Sequence, residues 1–111
     1  MISKYTPRSD APWIGFDFDG TIARNDTGSI DTLGDPIMSM ISRIENYLKV
    51  NTRVKIFTAR ANDPAQIAKI QKWLVDLGLP ALEVTDRKDY LMIRFYDDRA
   101  VAVIPNTGRL A

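Results

Sequence analysis

The sequence predicts an α/β domain on a doubly wound parallel sheet, and three observations predict it. Short apolar, β-rich runs alternate with segments of helical periodicity. Gly, Pro, Asn and Asp stand at the junctions, where turns and caps need them. Polar residues able to do chemistry recur just past the ends of the apolar runs, the edge at which α/β sheets place their sites. Helices between strands imply right-handed parallel crossovers, hence helices on both faces of a Rossmann-like sheet. The order 3-2-1-4-5 puts the first and fourth strands beside the switch point.

Each element follows from its residues. Met1 to Pro12 is a polar leader with Pro7 and Pro12 as breakers, and it lacks the apolar core of a signal peptide. Trp13-Ile14-Gly15-Phe16 is the first strand. Ala23 to Gly34, with Gly28 and Gly34, is polar and turn-rich and reads as a loop or small flap. Asp35-Pro36 predicts a helix start, Asp as N-cap and Pro in the first helical position. Ile37, Ile41, Ile44 and Leu48 then recur at helical spacing. Arg53 to Phe57 is the second strand. Asn62-Asp63-Pro64 opens a second helix whose apolar face is Ile67, Ile70, Leu74 and Leu77, with Gly78 as its C-cap. Leu82 to Thr85, Leu91 to Tyr96 and Val101 to Ile104 are strands three to five. The third connection is too short for a long helix, so a short helix or a turn must make it. Arg94 stands out inside the fourth strand, where burial on both faces is expected. It marks either the strand's exposed beginning or an incomplete helical layer.

With 111 residues, positions 1–111 form a single domain with one core. No apolar stretch approaches a membrane span, which with the leader's polarity predicts a cytoplasmic protein that does not contact membranes. A net charge of +1 provides no global basic field for nucleic acid. There is no Cys, which excludes thiol nucleophiles, disulfides and Cys-ligated metals. There is no His, which excludes the usual general base and transition-metal ligand. An enzyme on this chain must work with carboxylates, Lys, Tyr or a hard metal ion.

The residues past the strand ends fit that restriction. Asp17-Phe18-Asp19-Gly20-Thr21 follows the first strand, Thr58-Ala59-Arg60 the second and Asp97-Asp98 the fourth. Gly20 permits a sharp turn because it has no Cβ to clash at positive φ. Asp17, Asp19, Asp97 and Asp98 should converge on one sheet edge, where four carboxylates repel unless a hard dication such as Mg²⁺ sits among them. Plainer roles are open to each. Asp19-Gly20 also makes an ordinary turn, and Thr58 also caps a strand end. Asp97-Asp98-Arg99 also suits a surface ion-pair turn. Lys88 lies in the charge run Asp86-Arg87-Lys88-Asp89, of a kind usually solvated. Arg60 and Arg99 read as structural or rim residues, and Tyr47 and Trp73 as helix–sheet packing.

Taken together, these motifs resemble the haloacid dehalogenase superfamily over almost the whole chain, in the style of its small cap-less phosphatases from phage and prophage genomes. Asp17 and Asp19 match its first motif, Thr58 its second, Lys88 its third and Asp97-Asp98 its fourth. The resemblance implies a Mg²⁺-dependent phosphomonoester hydrolase acting through an aspartyl-phosphate. Asp17 would be the nucleophile and Asp19 the general acid and base. Thr58 and Lys88 would bind the phosphate, Arg87 being a rival for the second role. Mg²⁺ would be held by Asp17, the backbone carbonyl of Asp19, and Asp97 with Asp98.

Neither interval between motifs has room for a cap domain, so an open site is expected, unless a second copy in a homo-oligomer covers it. That suits a small phosphomonoester or a phosphate on something large, such as a nucleic-acid end, and a polynucleotide end-phosphatase is the alternative enzyme. A non-enzymatic phospho-acceptor module, like a response-regulator receiver, also uses Asp, Thr and Lys on such a sheet. It expects its acceptor Asp after the third strand, and Leu82 to Thr85 offers none. A binding protein that keeps the fold without turnover is the remaining reading.

Overall fold

The computed structural model describes residues 4–26 and 30–111, so Gly28 of the expected flap lies outside the described residues. Four strands form one parallel sheet in the order β3-β2-β1-β4. They are β1 (Trp13–Phe16), β2 (Arg53–Phe57), β3 (Glu83–Thr85) and β4 (Met92–Tyr96). Helix α1 (Met38–Lys49) joins β1 to β2, and α2 (Pro64–Asp76) joins β2 to β3. The order of these four strands is the expected one.

The core lies between the two helices and one face of the sheet. Side chains alternate along a strand, so Ile14 and Phe16 share a face with their register partners Val54 and Ile56. Ile41, Ile44 and Leu48 of α1 and Ile70 and Leu74 of α2 complete that cluster. Truncating any one of these buried side chains to Ala should cost about 2–5 kcal/mol. Tyr47 meets Phe16 edge-on at 6.1 Å, the helix–sheet packing expected of it, whereas Trp73 meets Phe18, in the turn past β1, at 4.9 Å.

Three expectations are corrected. Helices do not cover both faces: α1 and α2 lie on the same one. Both crossovers step in the same direction across the sheet, so a single hand places both helices on one side. The connection that steps back, Asp86 to Leu91, is a turn with no helix. The fifth strand is also absent among the described residues. Val101 to Ile104 is exposed and carries only an isolated bridge from Val103 to Leu110. A parallel neighbour needs a crossover of about a dozen residues, and only Asp97 to Ala100 separate this run from β4. Finally, Asp35 does not cap α1. Ile37 is its N-cap residue, without a side-chain hydrogen bond. The Asp35 carbonyl instead accepts from Arg24 N–H, and Ile37 N–H donates to the Ile22 carbonyl. Asp35-Pro36 is thus spent on tying the return of the flap to the turn after β1.

The second helix begins as its sequence predicts. The Asp63 side chain accepts from Ala65 N–H at 2.9 Å, with Pro64 in the first turn.

The helix-free face is closed by polar side chains over an indole. Trp13 is fully buried there, and its Nε1–H donates to Asp89 Oδ1 at 2.8 Å. That bond, then the Leu91 N–H, holds the Asp89 carboxyl below its usual range. Lys55 Nζ sits 4.5 Å from the Trp13 ring centroid and 3.2 Å from Glu83 Oε2. Asp89 thereby pins the β3–β4 turn to the sheet. Arg94 and Ile93 of β4 remain exposed, with Arg94 reaching the Tyr47 hydroxyl at 3.3 Å. The incomplete helical layer is therefore the correct account of Arg94.

Candidate functional site

The C-terminal ends of three neighbouring strands, β4, β1 and β2, carry Asp97-Asp98, Asp17 and Thr58. The chain turns at Gly20, which has φ +82°. A Cβ built there would stand 2.5 Å from Asp98 Oδ2. The positive φ calls for glycine, and a methyl there would press on the Asp98 carboxylate and shift it. The turn brings Thr21 back under the carboxylates, its Oγ1 3.3 Å from Asp17 Oδ2 and 3.4 Å from Asp98 Oδ1.

Asp17, Asp97 and Asp98 each offer a carboxylate oxygen within 4.8 Å of the others. Nothing cationic is paired with Asp17 among the described residues. Burial first, then the hydrogen bond it shares with Asp98 and the charges of Asp97 and Asp98, push its carboxyl up to about 7. Asp97 also holds its own turn, Oδ2 accepting from the N–H groups of Arg99 and Ala100. These three acids present hard oxygen donors, and their crowding is relieved by a dication. Both properties fit Mg²⁺.

Asp19 does not join them through its side chain. Its Oδ2 accepts from Arg60 Nε at 2.7 Å and its Oδ1 from Arg60 Nη2 at 3.0 Å, a two-pronged pair. Thr58 is buried and caps the 3₁₀ turn Ala59–Asn62, its Oγ1 accepting from Arg60 N–H. A cleft of about 280 Å³ opens among Asp17, Asp19, Thr58, Asp97 and Arg99. A second cleft, of about 410 Å³, runs past Asp19 and Arg60 toward Asn62 and Gln66.

Of the residues singled out in the sequence, the structure therefore brings Asp17, Asp19, Thr58, Asp97 and Asp98 to one place. Lys88 is exposed in the β3–β4 turn and does not line either cleft, and neither does Arg87. Arg99, read from sequence as a rim residue, is the cation that lines the smaller cleft. Arg60, which the sequence left as structural or rim, is buried and structural, and its pairing with Asp19 is what the sequence reading missed. Its signal was Thr58-Ala59-Arg60, an arginine two residues beyond a strand-end hydroxyl and just before a helix start. Thr21 was missed too, although it lies four residues after Asp17, one turn's reach.

Neither the known family models nor the curated proteins include a match to this chain. Among solved structures, a conserved protein coded by a locus from Bacteroides thetaiotaomicron is similar over 87% of this chain and 84% of that one. The TM-score is 0.64 at 20% identity, a likeness of fold.

Proposed function

We propose that this chain is a Mg²⁺-dependent phosphomonoester hydrolase of the haloacid dehalogenase type, with Asp17 as its nucleophile. The observation that carries the reading is the meeting of Asp17, Asp97 and Asp98 at adjacent strand ends, within 4.8 Å, beside a cleft that Thr58 also lines.

Asp17, Asp97 and Asp98 would hold Mg²⁺, with the Asp19 carbonyl as a further donor. When bound, the ion would supply charge neutralisation, and the Asp17 carboxylate would remain the attacking group. In the first step an Asp17 oxygen bonds to phosphorus in line as the bond to the leaving oxygen breaks, giving an aspartyl-phosphate. Asp19, in reach of the same cleft, delivers a proton to the leaving oxygen. It then takes one from the water that cleaves the aspartyl-phosphate, returning Asp17 and releasing phosphate. The Thr58 hydroxyl donates to a phosphoryl oxygen. Arg99, which lines the cleft, would answer the phosphate's charge in place of Lys88, which lines neither cleft. Among the described residues nothing covers the cleft, which favours keeping a nucleic-acid end in the substrate panel. A second copy over the cleft would narrow that choice.

The test is phosphate release from a panel of phosphomonoesters, 3′- and 5′-phosphorylated oligonucleotides included, with Mg²⁺ and with chelator. Turnover that needs Mg²⁺ and vanishes in Asp17→Asn supports the reading. Full activity in chelator overturns the metal, and an active Asp17→Asn overturns the nucleophile. A chain that binds phosphoesters without turnover, or merely takes up phosphate, is a binding or phospho-acceptor module instead.

A further inference from the structure

Arg60 is buried beside the cleft and held from several sides. Its Nε and Nη2 take both oxygens of Asp19. Its Nη1 donates to the Ile30 carbonyl at 2.7 Å and to Gln66 Oε1 at 3.0 Å. Gln66, buried at the start of α2, donates to the same Ile30 carbonyl at 3.2 Å. The backbone N–H of Arg60 is bound by Thr58 Oγ1 at 3.2 Å. A guanidinium fixed in this way cannot follow Asp19 if that carboxylate turns.

Asp19 has somewhere to turn. It lies two residues from Asp17 and lines the same cleft as Asp17 and Asp97. A dication held by Asp17, Asp97 and Asp98 attracts any further carboxylate within reach. A carboxylate drawn onto the ion is lost to proton exchange with substrate or water. We infer that Arg60 is a positioning residue whose fork holds the Asp19 carboxylate out of the cation's shell and so reserves it for proton transfer. The inference rests on the metal and phosphatase readings above.

The test is Mg²⁺ binding by titration calorimetry on the full chain, with turnover of an alkyl phosphate followed in parallel. Asp19→Asn should bind Mg²⁺ as the wild type does, because the carboxylate takes no part in holding the ion. Arg60→Gln should bind Mg²⁺ roughly three- to tenfold more tightly, as a fourth carboxylate joins the shell, while turnover falls. The double variant should return to the Asp19→Asn affinity, and Arg60→Lys should return toward wild type. A merely structural arginine predicts the opposite, weaker Mg²⁺ binding together with lost turnover. Arg60→Gln affinity equal to or below wild type overturns the inference, as does an Asp19→Asn that binds Mg²⁺ several-fold more weakly. Should Arg60→Gln not fold, the Asp19→Asn titration decides. A wild type that binds no Mg²⁺ overturns the metal reading and the inference with it. A wild type that binds Mg²⁺ but hydrolyses nothing overturns the phosphatase reading alone, and the affinities still decide where Asp19 is held.

Discussion

Asp17 and Asp19 are two residues apart on one turn, yet they sit in opposite electrostatic surroundings. Asp17 is half-buried among Asp97 and Asp98, with no cation paired to it among the described residues, and its carboxyl is pushed up to about 7. Asp19 lines the same cleft but is gripped at both oxygens by a buried arginine. The same side chain is thus crowded in one place and compensated in the other. Environments that differ this way are how one site assigns two carboxylates two tasks. A crowded acid is suited to meet a cation. A compensated one can stay put as the charge around it changes.

The largest expected effect falls on the crowded acid. Asp17→Asn should abolish turnover, since an amide lacks the anionic nucleophile, and steady-state phosphate release measures it. Recovery of more than a few per cent of the wild-type rate would remove Asp17 from that role. Asp19→Asn should cost roughly 10²–10⁴-fold where the leaving oxygen needs a proton. Single-turnover rates on an alkyl and a nitrophenyl phosphate test it, the alkyl ester suffering more. Equal losses would show that Asp19 is not the acid.

Stability should separate the two residues by sign. Arg60→Met takes the guanidinium from both Asp19 oxygens and leaves the Ile30 carbonyl to the longer Gln66 bond. It should destabilise the fold by about 2–4 kcal/mol, less than a fully buried pair because Asp19 keeps some solvent contact. Asp17→Asn removes a crowded like charge and should stabilise the metal-free chain, or at least not weaken it, by roughly 1–3 kcal/mol. Urea midpoints decide both, and a shared sign would erase the contrast.

The contrast also carries a pH signature. The Asp17 carboxyl is raised from 3.8 to about 7 on folding, so the folded chain binds its proton more tightly than the unfolded chain. Its contribution to stability is then greatest below the lower value and is lost as pH rises through about 7. Metal-free wild type should lose stability relative to Asp17→Asn across that window, and saturating Mg²⁺ should flatten the difference. A difference that stays constant with pH would deny the crowding. The smallest effect belongs to Gly20→Ala. It strains a positive φ and presses a methyl against Asp98. About 1–2 kcal/mol and a weaker Mg²⁺ affinity are expected, and an unchanged affinity would place Asp98 outside the ion's shell.

Much of this site could be read along the chain because its parts are local. An apolar run followed by Asp17-Phe18-Asp19-Gly20 specifies a strand, its end and the turn after it. Asp63-Pro64 specifies the start of α2 through a cap that reaches only two residues ahead. Strands β1 and β2 match their expected bounds, since both are bounded by turn residues and buried. The pairing of Asp17 with Asp97 and Asp98 followed from strand order, which right-handed crossovers restrict to few choices.

Other features depended on partners distant in sequence. Asp35 has the composition of a cap, but its carbonyl is taken by Arg24, and the helix starts later. Val101 to Ile104 has the composition of a strand, but too little chain precedes it to cross over beside β4. Lys55 is one position of the second strand in sequence, and only the fold sets Trp13, Glu83 and Asp89 around it. Arg60 reads as structural or rim, and the choice is made only when the fold lays Asp19, Ile30 and Gln66 against it. Periodicity, caps and turns are properties of neighbouring residues and are written in order along the chain. The compensation of a charge depends on which groups the fold brings within hydrogen-bond reach, and those groups come from separate stretches of sequence.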